Sequence, residues 1–296
     1  MKKMLFIMNP NAGQRKANKY LAEILTIFNR AGYLVEVCMT AGPGDGAQMI
    51  HARGRDMDVI VCCGGDGTFN ESVSGVLRDG IHVPLGYIPA GTTNDFAASL
   101  KLPTSPVMAA KAIAHGEAVA YDAGRFGDRY FTYVASFGAF TKASYATPQS
   151  FKNALGHLAY VLEGIQELSQ IKKEHIRIEL DDGTVVEDDF LFGAISNTMS
   201  VGGVLTLDPR QVNLQDGLFE IFLVRAPRDF TEISECLQAL STKKYSCQMV
   251  TFLTAKRLSI FAREDMSWTL DGEYCPGAAE IQVENLQQSV QLMRKE

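Results

Sequence analysis

Val59-Ile-Val-Cys-Cys-Gly-Gly-Asp-Gly-Thr-Phe-Asn-Glu-Ser72 is the stretch on which the reading of this chain turns. Met57 to Cys63 carries an apolar run with β-branched residues, the pattern of a strand buried on both faces of a parallel sheet. The run meets Gly64, Gly65 and Gly67 around Asp66, then Thr68, and Phe69 to Leu77 continues at helical spacing. The order is buried strand, glycine turn, helix. Glycines let backbone N–H groups approach a bulky anion with no Cβ in the way. A helix N-terminus just behind adds unspent donors and a positive dipole end. This predicts a seat for a nucleotide phosphate. It is not a Walker A loop, which needs a Lys in the turn, nor a G-x-G-x-x-G dinucleotide fingerprint. The plainer alternative is a tight strand-to-helix turn with no ligand.

Working outward, residues 1 to about 122 alternate strand and helix. Strands are expected at Met4–Met8, Tyr33–Met39 and Leu85–Ile88. Helices are expected at Arg15–Ala31, Gly44–Arg55, Asn70–Leu77 and Pro106–His115; in the first, Tyr20, Leu21, Ile24, Leu25, Ile27 and Phe28 form an apolar stripe. Such alternation predicts a doubly wound α/β domain, in which ligands bind beyond the carboxyl ends of the strands. Asn9 to Gly13, Thr40, the glycine turn and Thr92 all fall just after strands, so these loops can converge on one crevice.

Beyond Asp122 the texture changes. Phe126–Ala135 alternates around Gly127-Asp128, and Ile176–Leu180 and Val185–Ser196 flank Asp182-Gly183, so both read as hairpins. Leu218–Arg225, Lys256–Phe261 and Met266–Leu270 add strands, giving an antiparallel β-sandwich as the second domain. The expected division is 1–123 and 124–283. Lys152–Ile171 interrupts with Leu155, Leu158, Ala159, Leu162, Ile165 and Leu168 at helical spacing, followed by Lys172 and Lys173. It reads as a helix packed on the sandwich, with a membrane-facing wall as the functional alternative.

Composition excludes several classes. The 296 residues carry a net charge of −6, so no general basic field favours nucleic acid. No apolar run approaches the roughly 20 residues that span a bilayer. Met1-Lys-Lys leads straight into a strand, with no signal peptide pattern. The six cysteines have neither metal spacing nor a disulfide framework, which suits a reduced cytoplasm. The five histidines form no H-E-x-x-H, and no serine has a G-x-S-x-G setting, so zinc and serine hydrolysis are not indicated.

Three further stretches, Asn9-Pro-Asn-Ala-Gly13, Pro89-Ala-Gly-Thr-Thr-Asn-Asp-Phe-Ala97 and Leu270-Asp-Gly-Glu273, stand in order with the glycine turn. Together they resemble the soluble bacterial diacylglycerol kinase family, which is related to sphingosine kinases and, more distantly, to NAD kinases and phosphofructokinases. The resemblance covers nearly the whole chain. P-x-G-T-x-N-D-F-A is its most specific element, because G-G-D-G-T is shared by the wider superfamily. It implies a doubly wound α/β nucleotide-binding domain followed by an antiparallel β-sandwich, with residues 284–296 returning to the first domain. It implies an ATP-dependent, Mg²⁺-using lipid kinase acting on a lipid hydroxyl, diacylglycerol first. It also implies peripheral association with the inner face of the membrane, and a homodimer. The rival readings are an NAD kinase-like enzyme, another lipid alcohol such as a prenol or sphingoid base, and a nucleotide-binding regulator without turnover. Against the NAD kinase reading, Asn197-Thr-Met-Ser-Val-Gly-Gly203 lacks the Asn-Glu pair associated with dinucleotide recognition.

The resemblance also assigns residues. Asn9, Asn11 and Thr40 fall to the adenosine or ribose. Gly65, Gly67, Thr68 and Thr92 fall to the phosphates, and Pro10, Ala12, Gly13, Gly64, Asn70, Glu71, Asn94 and Asp95 complete the ATP-binding set. Asp66 would repel phosphate unless Mg²⁺ or water intervenes, so a Mg²⁺-mediated role is expected, against a plain hydrogen bond to neighbouring backbone. Asn94 or Asp95 could instead cap the helix beginning at Phe96. The general base falls on Asp271 or Glu273, with Asp271 preferred because a tight D-G turn can expose it. Val212-Asn-Leu-Gln-Asp-Gly-Leu218 resembles the family's Mg²⁺ loop, with Asp216 and the carbonyls of Asn213 and Leu218 as ligands and Asp122 linked through water. Its alternative is an ordinary D-G turn.

Overall fold

A computed structural model describes residues 1–13, 16–92, 94–138, 173–197, 200–201, 205–206, 213–242 and 248–295. The chain divides into two compact units, Met1–Ala123 with Gln287–Glu296, and Gly124–Leu286. The helix expected over Lys152–Ile171 lies outside the described residues.

In the first unit, strands β1 (Lys2–Met8), β2 (Tyr33–Met39), β3 (Val59–Gly64) and β4 (Leu85–Pro89) alternate with helices α1 (Leu21–Arg30), α2 (Asp45–Arg53), α3 (Asp66–Arg78), α4 (Asp95–Ser99) and α5 (Pro106–Ala114). β5 (Glu117–Phe126) leads into the second unit, and β17 (Glu280–Arg294) brings the chain back. The sheet runs β17–β4–β3–β1–β2, parallel throughout. β3 is buried at every residue, as its unbroken apolar run requires when both faces are covered. Met4, Phe6, Val61 and Cys63 pack with Ile24 and Phe28 of α1 and Ile113 of α5. On the opposite side of the pleat, Ile60 lies beside Gly54 together with Ile50 of α2. α3 begins at Asp66, four residues before the expected start at Asn70. The glycines that look like a turn are therefore partly the first turn of the helix.

In the second unit the strands are β6 (Arg129–Phe131), β7 (Val134–Gly138), β8 (Glu174–Leu180), β9 (Val185–Ser196), β10 (Ser200–Val201), β11 (Leu205–Thr206), β12 (Phe219–Arg225), β13 (Val250–Ala255), β14 (Arg257–Phe261), β15 (Ser267–Leu270) and β16 (Glu273–Pro276), with the start of β17. They pair antiparallel: β9 lies between β7 and β8 and also pairs with β12, while β15 joins β7 to β16. Their inward faces meet on one core around Trp268, whose ring lies 4.8 Å from Phe126 and 5.0 Å from Phe137. The α/β-plus-β-sandwich architecture expected from the sequence is the one found. No helix among the described residues is long and apolar enough to cross a membrane.

Helix α6 (Phe230–Thr242) was not expected. Its signal was present in Asp229-Phe-Thr-Glu232, the D-x-x-E form of a capping box: the Asp229 carboxylate accepts the Glu232 N–H at 2.9 Å.

Two glycines in this unit make room for rings. Gly124 stands across from Phe131, and Gly193 from Phe137, and in each pair a Cβ would run into the partner's ring. Gly193 is also hemmed in by Leu223 at 3.0 Å. Gly193→Ala is expected to destabilise by about 1–3 kcal/mol, the range for overpacking a core. Thermal unfolding measures it; an unchanged midpoint would show that Phe137 has room to move.

Candidate functional site

In the first unit three loops meet at the carboxyl ends of β1, β3 and β4. The Asn9 N–H donates to the Cys63 carbonyl at 2.9 Å, and the Ala90 N–H to the Gly64 carbonyl at 2.7 Å. The Asn9 side-chain amide reaches Thr68 Oγ1 at 3.3 Å. Gly13, at φ +52°, approaches so closely that a Cβ there would lie 2.5 Å from the Ala90 carbonyl oxygen. A Cβ on Gly91 would lie 2.6 Å from the Gly65 Cα, so two main chains touch at that point.

This contact lies at the N-terminus of α3, where Gly65 is the N-cap and no side chain caps the helix. The first N–H groups of a helix have no carbonyl of their own to bond. With glycine on both sides, no Cβ stands between these donors and an approaching anion, which a helix N-terminus favours. Thr68 Oγ1 lies beside it, and a Cβ on Gly64 would collide with that oxygen at 2.5 Å. Thr40 is buried, its N–H bonded to the Met8 carbonyl, and Thr92 is exposed. The Asn9–Gly13 loop is shaped internally, with the Asn11 N–H on Asn9 Oδ1 and the Ala12 N–H on the Asn9 carbonyl. The Pro10 carbonyl takes the Asn18 amide.

Asp66 does not stand among the phosphate donors as a bare acid. Its carboxylate accepts the N–H groups of Asp95 at 3.0 Å and Phe96 at 3.4 Å, so it caps α4 from another helix. The Tyr87 hydroxyl also reaches it, at 3.5 Å. Asp66 thus makes hydrogen bonds to backbone. Asn94, the N-cap residue of α4, makes no side-chain cap bond. Asn94, at φ +53°, folds back instead, accepting the Gly91 N–H and donating to the Gly91 carbonyl, both at 2.9 Å. The Glu71 carboxylate accepts the N–H groups of Gly44 at 2.7 Å and Gly46 at 3.1 Å, at the start of α2. Asn70 accepts from the Ser74 hydroxyl at 3.3 Å.

Gly91 and Tyr87 were missed as site residues. Gly91 lies inside the quoted Pro89–Ala97 motif, which was its signal. Tyr87 lies under both loops in a ring stack with Phe69 and Phe96, and nothing local in the sequence marks that. Asp66→Ala is expected to destabilise by about 1–2 kcal/mol, as for loss of a helix cap, and to weaken nucleotide binding by loosening the Gly91–Asp95 loop. Urea unfolding and calorimetric titration of the same variant check the two effects.

In the second unit, Leu270 pairs with Glu273 across the two-residue turn Asp271-Gly272, at φ +50° and +88°. Positive φ at both positions is the type I′ hairpin that Asp-Gly favours. The turn does not expose Asp271, which corrects the reason for preferring it as the base. Asp271 is 6% exposed, and its carboxylate accepts the Thr132 N–H at 2.6 Å, the Thr132 hydroxyl at 2.8 Å, and the Tyr133 and Val134 N–H groups at 3.0 Å each. Burial pushes its carboxyl above the ordinary value, and these donors oppose the rise. A carboxylate shared among such donors is poorly placed to take a substrate proton. Glu273, two residues on, is solvent-exposed at the start of β16.

The 213–218 segment is a tight acidic turn. The Asp216 N–H approaches the Asn213 carbonyl at 3.5 Å, the Leu218 N–H donates to the Asp216 carboxylate at 3.0 Å, and Gly217 sits at φ +79°. Asp216 is exposed, and its carboxylate and the Asn213 and Leu218 carbonyls are hard oxygens, the ligand type Mg²⁺ takes. Among the described residues no cluster of three or more His, Cys, Asp or Glu side chains is placed to hold a metal. Asp122 is buried in the first unit, its carboxylate accepting the N–H of Gln288, a residue at φ +52°. That contact ties β5 to the returning β17.

The family model described as the diacylglycerol kinase catalytic domain matches residues 3–126. The one described as the YegS C-terminal NAD kinase beta sandwich-like domain matches 134–294. A diacylglycerol kinase of Bacillus subtilis is 34% identical over 276 residues, covering 93% of this chain and 90% of the relative. One from Staphylococcus epidermidis is 31% identical, covering 98% and 92%. Among solved structures, a putative diacylglycerol kinase from Bacillus anthracis superposes with a TM-score of 0.77 at 25% identity, covering 99% of this chain and 97% of that one. An NAD kinase from Archaeoglobus fulgidus, at 14% identity and a TM-score of 0.51 over 99% and 94%, shares the fold. From the glycine-lined cradle of its first unit to the Asp-Gly hairpin of its second, this chain belongs to the diacylglycerol kinase family.

Proposed function

We propose that this enzyme transfers the γ-phosphoryl group of ATP to the hydroxyl of a diacylglycerol, giving a phosphatidic acid. The kinase activity follows from the family, and ATP use from the kinase fold. The observation that carries the reading is the uncapped N-terminus of α3 where Gly65 touches Gly91, in a chain 34% identical to a diacylglycerol kinase. Phosphoryl transfer needs positioning and charge stabilisation more than covalent help from the protein. The N–H groups at the start of α3 bind phosphate oxygens without bringing a negative side chain. Asn9 holds Thr68 in orientation beside them. Glu273 accepts the proton of the lipid hydroxyl, a role its exposure permits and the burial of Asp271 does not.

Mg²⁺, when bound, offsets the charge developing on the phosphate oxygens. Asp216 with the Asn213 and Leu218 carbonyls is the set that would hold a structural ion. The enzyme meets its lipid by peripheral association with the membrane surface. Incubation with radiolabelled ATP and vesicles containing diacylglycerol, a prenol or a sphingoid base, with NAD as a soluble competitor, tests the substrate. Label in phosphatidic acid is expected; label in NADP alone would overturn the assignment. Stripping the protein with chelator and restoring Mg²⁺ should remove and then restore turnover. Metal analysis of Asp216→Asn should show one equivalent fewer than the parent protein.

A further inference from the structure

The tip of a two-residue hairpin is ordinarily among the more mobile places in a fold. A general base has the opposite requirement, since a catalytic group must be held within about 0.5 Å of its productive position. The hairpin carrying Glu273 meets that requirement through Asp271. Oδ2 of Asp271 takes both the N–H and the hydroxyl of Thr132, and Oδ1 takes the N–H groups of Tyr133 and Val134. The main chain adds a further bond, from the Asp271 N–H to the Val134 carbonyl at 2.8 Å. The clamped segment is itself tied to the end of β9, because the Tyr133 carbonyl accepts the Asn197 N–H at 2.9 Å. The Tyr133 hydroxyl lies 4.0 Å from where a Cβ on Gly272 would be.

A stable hairpin does not require this arrangement. The Asp-Gly turn and the β15–β16 ladder already define its backbone. A buried, fully bonded carboxylate is also a costly way to join two loops, and apolar contacts of similar volume often stabilise as well or better. What the carboxylate adds is direction: four donors fix both of its oxygens, and with them the plane of the turn from which Glu273 projects. We infer that Asp271 is a positioning residue whose carboxylate, clamped by residues 132–134, sets the orientation of Glu273 for proton abstraction. This rests on the reading of Glu273 as the base.

The test is a double-mutant cycle on the full chain, with kcat and KM for ATP measured on diacylglycerol vesicles. In Asp271→Asn, either amide orientation turns an NH₂ group toward at least one backbone N–H, so the clamp is broken whichever way the side chain flips. The expected result is a fall in kcat of about 10²-fold, the scale for a small displacement of a catalytic group, with KM for ATP unchanged. The acid limb of the pH–rate profile should shift. The Asp271→Asn/Glu273→Gln double variant should lose no more than Glu273→Gln alone, because a residue acting only through Glu273 has nothing left to position. Multiplying losses, or an unimpaired Asp271→Asn, would overturn the proposal. A loss in Asp271→Asn larger than in Glu273→Gln would overturn it too, making Asp271 the base. If Asp271→Asn does not fold, Thr132→Val removes one of the donors and keeps the shape. It should lower kcat several-fold and show the same non-additivity with Glu273→Gln; additivity there counts against the idea as well. A fully active Glu273→Gln signals a different failure, that of the base assignment itself.

Discussion

Glu273→Gln is expected to lower kcat about a thousandfold, within the 10²–10⁴ contributed by general-base catalysis, while KM for ATP stays within a factor of two or so of the parent value. Glutamine keeps the length and most of the shape of glutamate and loses only the ability to take a proton. The side chain is exposed at the first residue of β16, so the change should cost less than about 0.5 kcal/mol of stability, as usual for surface positions. A large loss of rate at constant stability and constant nucleotide affinity is the signature of a group that works on the reacting hydroxyl. The pH–rate profile gives a second reading: a base must be deprotonated to act, so the parent enzyme loses activity on the acid side and the variant should lack that limb. The competing assignment, Asp271 as base, predicts near-normal turnover for Glu273→Gln. Burial and the donors from residues 132–134 argue against it, because those bonds would have to break before a substrate hydroxyl could reach either carboxylate oxygen.

What could be read in the sequence and what could not divide along one physical line. Features set by neighbours in sequence were legible. The apolar run before Gly64 became a fully buried parallel strand, Asp271-Gly272 became a tight hairpin, and Gly127-Asp128 turned β5 into β6. Helix α6 belonged in this class and was overlooked, although Asp229 and Glu232 stood at capping distance in the sequence. Features set by where a side chain finds its donors were not legible. Asp66 finds its partners in Asp95 and Phe96, Glu71 in Gly44 and Gly46, and Asp271 in residues more than 130 positions away. The family resemblance implies that all three are acids near a phosphate site. Only the fold shows that they cap helices or clamp a turn, and that Glu273 keeps its exposure. The start of α3 was misplaced for a related reason: glycine is a poor helix former, so Asp66-Gly67-Thr68 reads as turn until the sheet and the preceding strand hold it in helical geometry.

Gly91→Ala is expected to raise KM for ATP about a hundredfold, with the fold intact. The added Cβ would stand 2.6 Å from the Gly65 Cα and 2.8 Å from Asn94 Oδ1. The first neighbour is main chain and cannot rotate away, so the loop after β4 must draw back from the N-terminus of α3. The second is the side chain that bonds both the N–H and the carbonyl of Gly91, so the brace of the loop is disturbed together with its position. Hydrogen bonds to a charged partner are each worth about 1.5–3 kcal/mol. Misaligning one or two of the donors that grip a phosphate would cost about 3 kcal/mol, which is about a hundredfold in affinity. The damage should stay local, because Gly91 is only half-buried and sits outside the packed strands. Thermal unfolding should therefore change little while calorimetric titration with ATP loses most of its signal. A phosphate cradle built from main chain has this weakness: no side chain in it can be exchanged for a better one, and a single methyl group at the point of contact closes it. Normal ATP binding by Gly91→Ala would mean that the phosphates lie elsewhere than against the start of α3.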